Sequence, residues 1–512
     1  MRSLGRWKAA VVVTAPSAVA HLWRLGHRPL AHDEAIDAFF SWQARDLGVM
    51  RYDPVYHGPL RFYLEGLVLD HGGTSAAHAR LVAAVAGIVA TALIASSTDL
   101  LGRVGAPVAA LVFTVSPTVL TVTRTGREDS LVGLVSLGLL LLVARMLTAP
   151  RPRHVVGAGV LLALSFTIKE TTFLFGLNAA VFIGAGAALA ALRPDGRCRA
   201  VVRRLASLGQ APWMWSLSAF ALVFMVVFTS GFRYVEGVES GLFDGVRYWW
   251  GQHDVGRGGQ PWFFYLAVYA AYEWLLLGLA AVGVVASVRR RSLVGAWLGV
   301  MALGHVALYS WAGEKFAWLA LHPLLPAVLL AGIGAQAVAD RVRGRAARLA
   351  VAGAGAVLAT LTAVVAVRPA ITHGADPREL LVTVQTSADL PPIAERLARA
   401  QRAGEVDTIV VDQTGGGSWP WAWYLHELDG VSYAPLDPQD IPREVDAVIV
   451  WAVENPPEPP EGYTVERFRL REWWVPAYGD AGADDLLRWF FTREPWSPTA
   501  SSDQYLILRD PD

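Results

Sequence analysis

The sequence predicts an α-helical polytopic membrane domain over residues 1–369, with about eleven transmembrane helices, and a small extracytoplasmic α/β domain over 370–512. Three observations carry that prediction. Of 512 residues, 54% are hydrophobic and only 17% are charged, whereas soluble domains carry about 25% charged residues. The mean hydropathy is +0.38. The apolar residues fall in runs of the length that crosses a bilayer, and these stop near residue 369, where strand and helix signals begin to alternate. The 44 basic and 44 acidic residues cancel, which removes the electrostatic footprint of a nucleic-acid binder. Cys198 is the single cysteine, so an internal disulfide and a cysteine-ligated cluster are excluded.

The spans lie near 7–26, 76–99, 104–122, 129–148, 155–168, 171–191, 212–230, 262–287, 292–311, 316–338 and 348–368. The first has the length of a signal peptide but no small-residue cleavage site before His27–Pro29, so it reads as retained. With Arg2, Arg6 and Lys8 in the cytoplasm, the later basic clusters fall on the same side. These are Arg103, Arg151 with Arg153, the group from Arg193 to Arg204, Arg289–Arg291, and the group from Arg341 to Arg348. The N-terminus is then cytoplasmic and the C-terminal domain outside. Nearly all acids and histidines of the membrane half fall on the outer side, in 27–75, 123–128, 168–170, 231–261 and 312–315. In the first outer loop, Glu34–Leu47 has helical spacing and offers Ile36, Phe39, Phe40 and Leu47 to the membrane. A second interfacial helix runs from Leu60 to Leu69.

In the tail, Thr383–Thr386, Asp407–Asp412, Val445–Trp451, Val465–Leu470 and Gln504–Leu508 read as strands. Ile393–Arg402, Trp421–Glu427 and Asp484–Phe491 read as helices, the first capped by Ser387–Asp389 with Pro391 in its first turn. Gly415–Gly417 is a loop signal and too weak to imply nucleotide binding.

Several outer segments carry residues suited to chemistry. His32–Asp33–Glu34 opens the first outer loop; a carboxylate pair there suits a general base or a cation site, and equally complements a helix dipole. Arg124 and Arg127 precede Glu128 and Asp129. Arginines at an outer face suit phosphate, and equally order a loop by pairing with acids. Only three of the 44 basic residues are lysines, yet two lie on this side, in Lys169–Glu170 and Glu314–Lys315. Each suits a phosphate, or else a snorkelling or belt position. His57 and His322 lie in the same set of loops and span ends. The 231–261 loop adds Trp249, Trp250, His253, Asp254 and Arg257, which suit a sugar or an interface anchor. Together they describe one outward site with carboxylates for base work and cations for phosphate, beside lipid, which points to a lipid phosphate donor.

A long first outer loop opening with an Asp–Glu pair resembles the GT-C glycosyltransferases, among them the protein O-mannosyltransferases and aminoarabinose transferases. Further segments resemble the family of flippase-activity-associated membrane proteins. They are His32–Glu34, His57–Leu60, Arg127–Asp129, Lys169–Thr171, Gly313–Trp318, His322–Pro326, Gln385–Ser387 and Trp419–Tyr424, spread over nearly the whole chain. The resemblance implies inverting transfer of a sugar from a polyprenyl-phosphate donor to an unidentified glycan, lipid or protein acceptor at the outer face. Asp33 is then the general base and Glu34 its helper. Arg127, Lys169 and Lys315 are the candidates for the donor phosphate. His32, His57, Arg124, Glu128, Asp129, Glu170, Glu314 and His322 complete the substrate-binding positions that the motifs mark. Some members of the superfamily bind a divalent ion, which leaves metal use open; no comparable ligand spacing supports one here, and no other cofactor is expected. A lipid-linked-sugar flippase or flippase partner would need polar residues continuing to the cytoplasmic side, and the spans are nearly charge-free there. A non-catalytic binding protein would work through the tail, with Trp473, Trp474, Trp489 and Trp496 exposed rather than packed in its core.

Overall fold

The computed structural model describes residues 2–193, 196–252, 255–442, 444–453 and 461–510. His253 and Asp254 therefore lie outside the described residues. Each apolar window coincides with a helix or a bent helix pair. Among the described residues, seven helices are long and apolar enough to cross a membrane, up to nine when each bent pair is one span; Val11–Leu22 and Pro152–Phe166 are shorter apolar helices.

Windows 104–122 and 262–287 are not straight spans. Gly105–Val115 meets Pro117–Thr123 at 66°, and Phe264–Tyr272 meets Trp274–Arg289 at 104°. Ser116 is extended and caps a new helix by accepting from Val119 N, with Pro117 in the first turn where its missing N–H costs nothing. Glu273 marks the other break. The two breaks touch: Ser116 Oγ donates to Glu273 Oε1 at 2.8 Å, and Thr118 N donates to the same oxygen at 3.0 Å. The orphan N–H of one helix start thus meets the buried carboxylate of the other bend.

The first three helices are α1 (Arg2–Leu22), α2 (His32–Leu47) and α3 (Leu60–Gly72). The start of α2 is fixed when Glu34 Oε2 accepts from Ala31 N at 2.9 Å. It ends at Gly48, whose φ of +61° suits a left-handed cap. Helices α2 and α3 pack through polar groups. Arg61 Nη1 lies 2.6 Å from Asp37 and 3.5 Å from Glu65. Phe39 and Phe40 differ from expectation, because α2 lies between α3 and the tail. Their rings pack against Trp419 with centroids 5.5 and 5.9 Å apart. Leu47 remains exposed. Within the 231–261 segment a helix not anticipated from sequence, Gly237–Gln252, is present.

The tail forms a six-stranded sheet of β1 (Gln385–Thr386), β2 (Ile409–Asp412), β3 (Val431–Ala434), β4 (Ala447–Trp451), β5 (Tyr463–Trp473) and β6 (Ala500–Arg509). Its order is β1-β5-β6-β4-β2-β3. Strands β3, β2 and β4 run parallel, and the pairs β4–β6, β6–β5 and β5–β1 are antiparallel. The five expected strands are present with shifted ends; β3 was not anticipated. Helix Leu390–Ala403 covers one face over Ile409, Ile449, Leu470 and Leu506. The helix expected over Trp421–Glu427 stops at Tyr424. Trp474, Trp489 and Trp496 stack on one another with centroids 4.7–6.2 Å apart, so they pack the interior. Trp473 is half-buried and lines a groove.

Candidate active site

The N-terminus of α2 sends two neighbouring carboxylates in different directions, because a helix turns about 100° per residue. Glu34 points into protein. Arg80 grips it with Nε–Oε1 and Nη2–Oε2 at 2.7 and 2.8 Å. Arg28 Nη1 lies 3.1 Å away, and Gly126 N donates at 2.6 Å. Burial pushes this carboxyl up, but Arg28 and Arg80 outweigh burial and hold it at about 2. Glu34 therefore ties α2 to the bundle as a permanent anion. Asp33 faces the other way, with 38% of its side chain exposed and Arg127 Nη1 at 2.6 Å.

Arg127 is the centre of a charged network. Its Nη2 donates to Glu128 Oε1 at 3.0 Å, its Nε lies 3.6 Å from Asp129 Oδ2, and its guanidinium sits 4.3 Å over the Trp318 ring. Lys169 Nζ donates to Glu128 Oε1 at 2.6 Å and to both Asp129 oxygens at 2.9 Å. His322 Nε2 is 3.2 Å from Asp129 Oδ1. His57 places Nδ1 2.7 Å from Glu170 Oε2 and Nε2 3.4 Å from Glu128 Oε1. Tyr52 donates to Glu170 at 2.6 Å. Burial favours the neutral form of each group. Arg127, Lys169 and His57 together overcome this for Glu128, which is held well below the carboxylate range. Asp129 and Glu128 likewise raise Lys169, and Glu128 and Glu170 raise His57.

The His57–Gly58–Pro59–Leu60 motif explains how His57 reaches this network. Gly58 N and Leu60 N donate to Ile168 O and Thr167 O, each at 3.0 Å. A Cβ at Gly58 would lie 2.2 Å from Thr167 O, so only glycine permits that approach. The loop is thereby docked beside Lys169.

A narrow cavity of about 160 Å³ opens over Asp33. His32, Arg28 and Arg127 line it with Trp318, and the tail closes it with Leu381–Gln385. Of the expected residues, His32, Asp33 and Arg127 reach this cavity. Glu128, Asp129, Lys169, His57, Glu170 and His322 form the layer behind Arg127. Lys169 was expected to face a phosphate; buried between two acids, it faces carboxylates instead. Arg124 gives its donors to four backbone carbonyls, those of Ala370, Ala20, His21 and Trp23, and acts as a clasp. Lys315 lies in a neighbouring cavity of about 380 Å³ with Arg257, and Phe316 lines both. Glu314 belongs to the same turn and bridges by backbone to Arg257.

Three contributors were missed. Arg80 lies inside an apolar run, where an arginine is a signal in itself. Arg28 Nη1 donates to Gln385 Oε1 at 2.8 Å. Arg471 Nη1 donates to His32 Nδ1 at 3.3 Å. Burial pushes His32 down to about 4, which keeps its ring neutral and able to accept. Among the described residues no three His, Cys, Asp or Glu side chains are arranged to share an ion.

Residues 56–192 match the family model of the dolichyl-phosphate-mannose-protein mannosyltransferases. None of the curated proteins matches the chain. The fold is similar to ArnT from Cupriavidus metallidurans bound to undecaprenyl phosphate, with TM-score 0.56 and 16% identity, over 83% of this chain and 85% of that one. The Archaeoglobus fulgidus oligosaccharyltransferase in its apo form is also similar, with TM-score 0.55 and 13% identity, over 83% of this chain and 64% of that one. The chain therefore has an ArnT-like fold with several helices apolar enough to cross a membrane, and its residues 56–192 are similar to the dolichyl-phosphate-mannose-protein mannosyltransferases.

Proposed function

We propose that the protein transfers a sugar from a polyprenyl-phosphate donor to an acceptor hydroxyl at the outer face of the membrane, with inversion, and that Asp33 is the general base. One observation carries this reading. The side chains of Glu34, Glu128 and Asp129 are fully buried, whereas Asp33 is 38% exposed and is the one acid lining the cavity. Arg127 holds Asp33 from one side and leaves its other oxygen for an acceptor O–H. In the transfer step the acceptor oxygen bonds to the anomeric carbon, and its proton passes to Asp33. The bond from that carbon to the phosphate oxygen breaks on the opposite face, and the phosphate keeps the electron pair.

The donor class is supported by the undecaprenyl phosphate bound to ArnT and by the lipid phosphate sugar in the family's name. Lys315 and Arg257 are assigned to the donor phosphate, because their cavity adjoins that of Asp33. Arg127 and Lys169 act as positioning residues for the acids. The basic clusters support a cytoplasmic N-terminus and an outer tail.

The test is turnover in nanodiscs, with radiolabelled polyprenyl-phosphate mannose or glucose as donor and a cell-envelope extract as acceptor. A positioned general base contributes about 10²–10⁴-fold, so Asp33→Asn is expected to lose label transfer by that factor. Normal turnover by that variant would overturn the assignment.

A further inference from the structure

In open α/β sheets, ligands bind outside the carboxyl ends of the parallel strands, near the point where the strand order switches. In the tail that place is a groove of about 610 Å³. Trp451 ends β4, Gly415 lies in the turn after β2, Arg467, Arg471 and Trp473 belong to β5, and Asp503 belongs to β6. The groove adjoins the Asp33 cavity, since Val384 lines both. Arg471 links them: besides its bond to His32, its Nη2 donates to Gly416 O at 3.3 Å. Gly415 and Gly416 have φ of +55° and +76°, a turn that ordinary side chains resist. A Cβ added at Gly416 would lie 3.8 Å from the His32 ring, so the turn passes close to that ring.

We propose that this groove binds the carbohydrate portion of the acceptor and presents its hydroxyl to Asp33. The proposal rests on the transfer reading above and names the acceptor's class. Trp451 and Trp473 offer flat aromatic surface for the C–H face of a pyranose. The Trp451 ring is fixed, because its Nε1 donates to Thr414 O at 2.7 Å. Arg467 and Asp503 pair at 2.8–3.0 Å on the groove wall and supply a donor fork beside an acceptor, as adjacent sugar hydroxyls require. Arg471 sits 5.5 Å over the Trp451 ring. Among the described residues no carboxylate pairs with it, and its buried Nε has no hydrogen-bond partner. Flat rings interleaved with these polar groups suit a glycan better than an acyl chain.

Two measurements test this on the full chain in nanodiscs. First, tryptophans are oxidised with N-bromosuccinimide, with and without a glycan fraction of the cell envelope, and read by peptide mass spectrometry. Trp451 and Trp473 are expected to be protected several-fold relative to the exposed Trp250 and Trp262. The protection is expected to vanish when the glycan has first been cleaved with periodate and dialysed. Equal oxidation with and without glycan overturns the proposal. Second, Trp451→Ala and Trp473→Ala are expected to raise the KM for envelope acceptor about thirtyfold, the size of a binding hot spot, and to lower kcat much less. The corresponding Trp→Phe variants keep the ring and are expected to restore most of the affinity. Unchanged acceptor KM in the alanine variants also overturns the proposal. Protection without any transfer by the wild type would refute the transfer reading and leave the groove a glycan site.

Discussion

Lys169 lies between Glu128 and Asp129, with its three bonds to carboxylate oxygens at 2.6–2.9 Å. Removing one partner of a buried ion pair typically costs about 3–5 kcal/mol, because the other charge is left unpaired. Lys169→Met is therefore expected to lower the unfolding midpoint in detergent by several degrees. A variant as stable as wild type would show that Glu128 and Asp129 repartner with His57, His322 and Arg127. That Arg127–Asp129, Lys169–Glu170, His57 and His322 belong together was legible, since each lies at the outer end of an apolar run. The direction of each side chain was not. Asp33 and Glu34 are adjacent, yet one faces the cavity and the other is held by Arg80, 46 residues away. Arg471 meets His32 across 439 residues of sequence, and no local pattern encodes such a pairing.

Helices α2 and α3 meet through one guanidinium and two acids. Burial is the largest influence on both acids, and Arg61 only partly offsets it. Asp37 is pushed up to about 6 and Glu65 to about 8. Each acid thus holds its proton more tightly when folded than its ordinary values of 3.8 and 4.5. Stability from this pair is fully present below about pH 4 and is lost as pH rises through about 6 and then 8. Glu65→Gln mimics the protonated form, so it is expected to flatten the fall of the melting temperature between pH 5 and 8. An unchanged slope would place the titration elsewhere. Both helices were legible in the sequence. Their contact was not: the aromatic stripe of α2 looked lipid-facing until Trp419, from the far end of the chain, covered it. The bends at Ser116 and Glu273 were also hidden, because hydropathy averages over them. Strand β3 is four residues long, too short to stand out against its neighbours.

At the scale of the molecule, the tail is built into the site. Tyr424 OH accepts from Leu30 N at 2.9 Å, and Arg28 joins Glu34 and Thr125 to Gln385 of β1. Farther out, Glu379 accepts from Arg368, Arg493 and Tyr272. Undecaprenyl phosphate is therefore expected to slow hydrogen exchange in 257–260, 315–316 and 380–384 together, because these segments wall the Lys315 cavity. Protection confined to the first two would show that the tail does not enclose the donor. At this scale the sequence suggests a division near residue 369; the docking of one part on the other depends on pairings that sequence spacing does not express. The Ser116–Glu273 bond has its own consequence here. One bent helix runs on into Arg124 and Arg127, and the other begins just after the Arg257–Gln260 segment that lines the Lys315 cavity. Pinned at a shared vertex, the two arms work like the jaws of a caliper. The hydrogen bond thereby ties a wall of the Asp33 cavity to a wall of the Lys315 cavity.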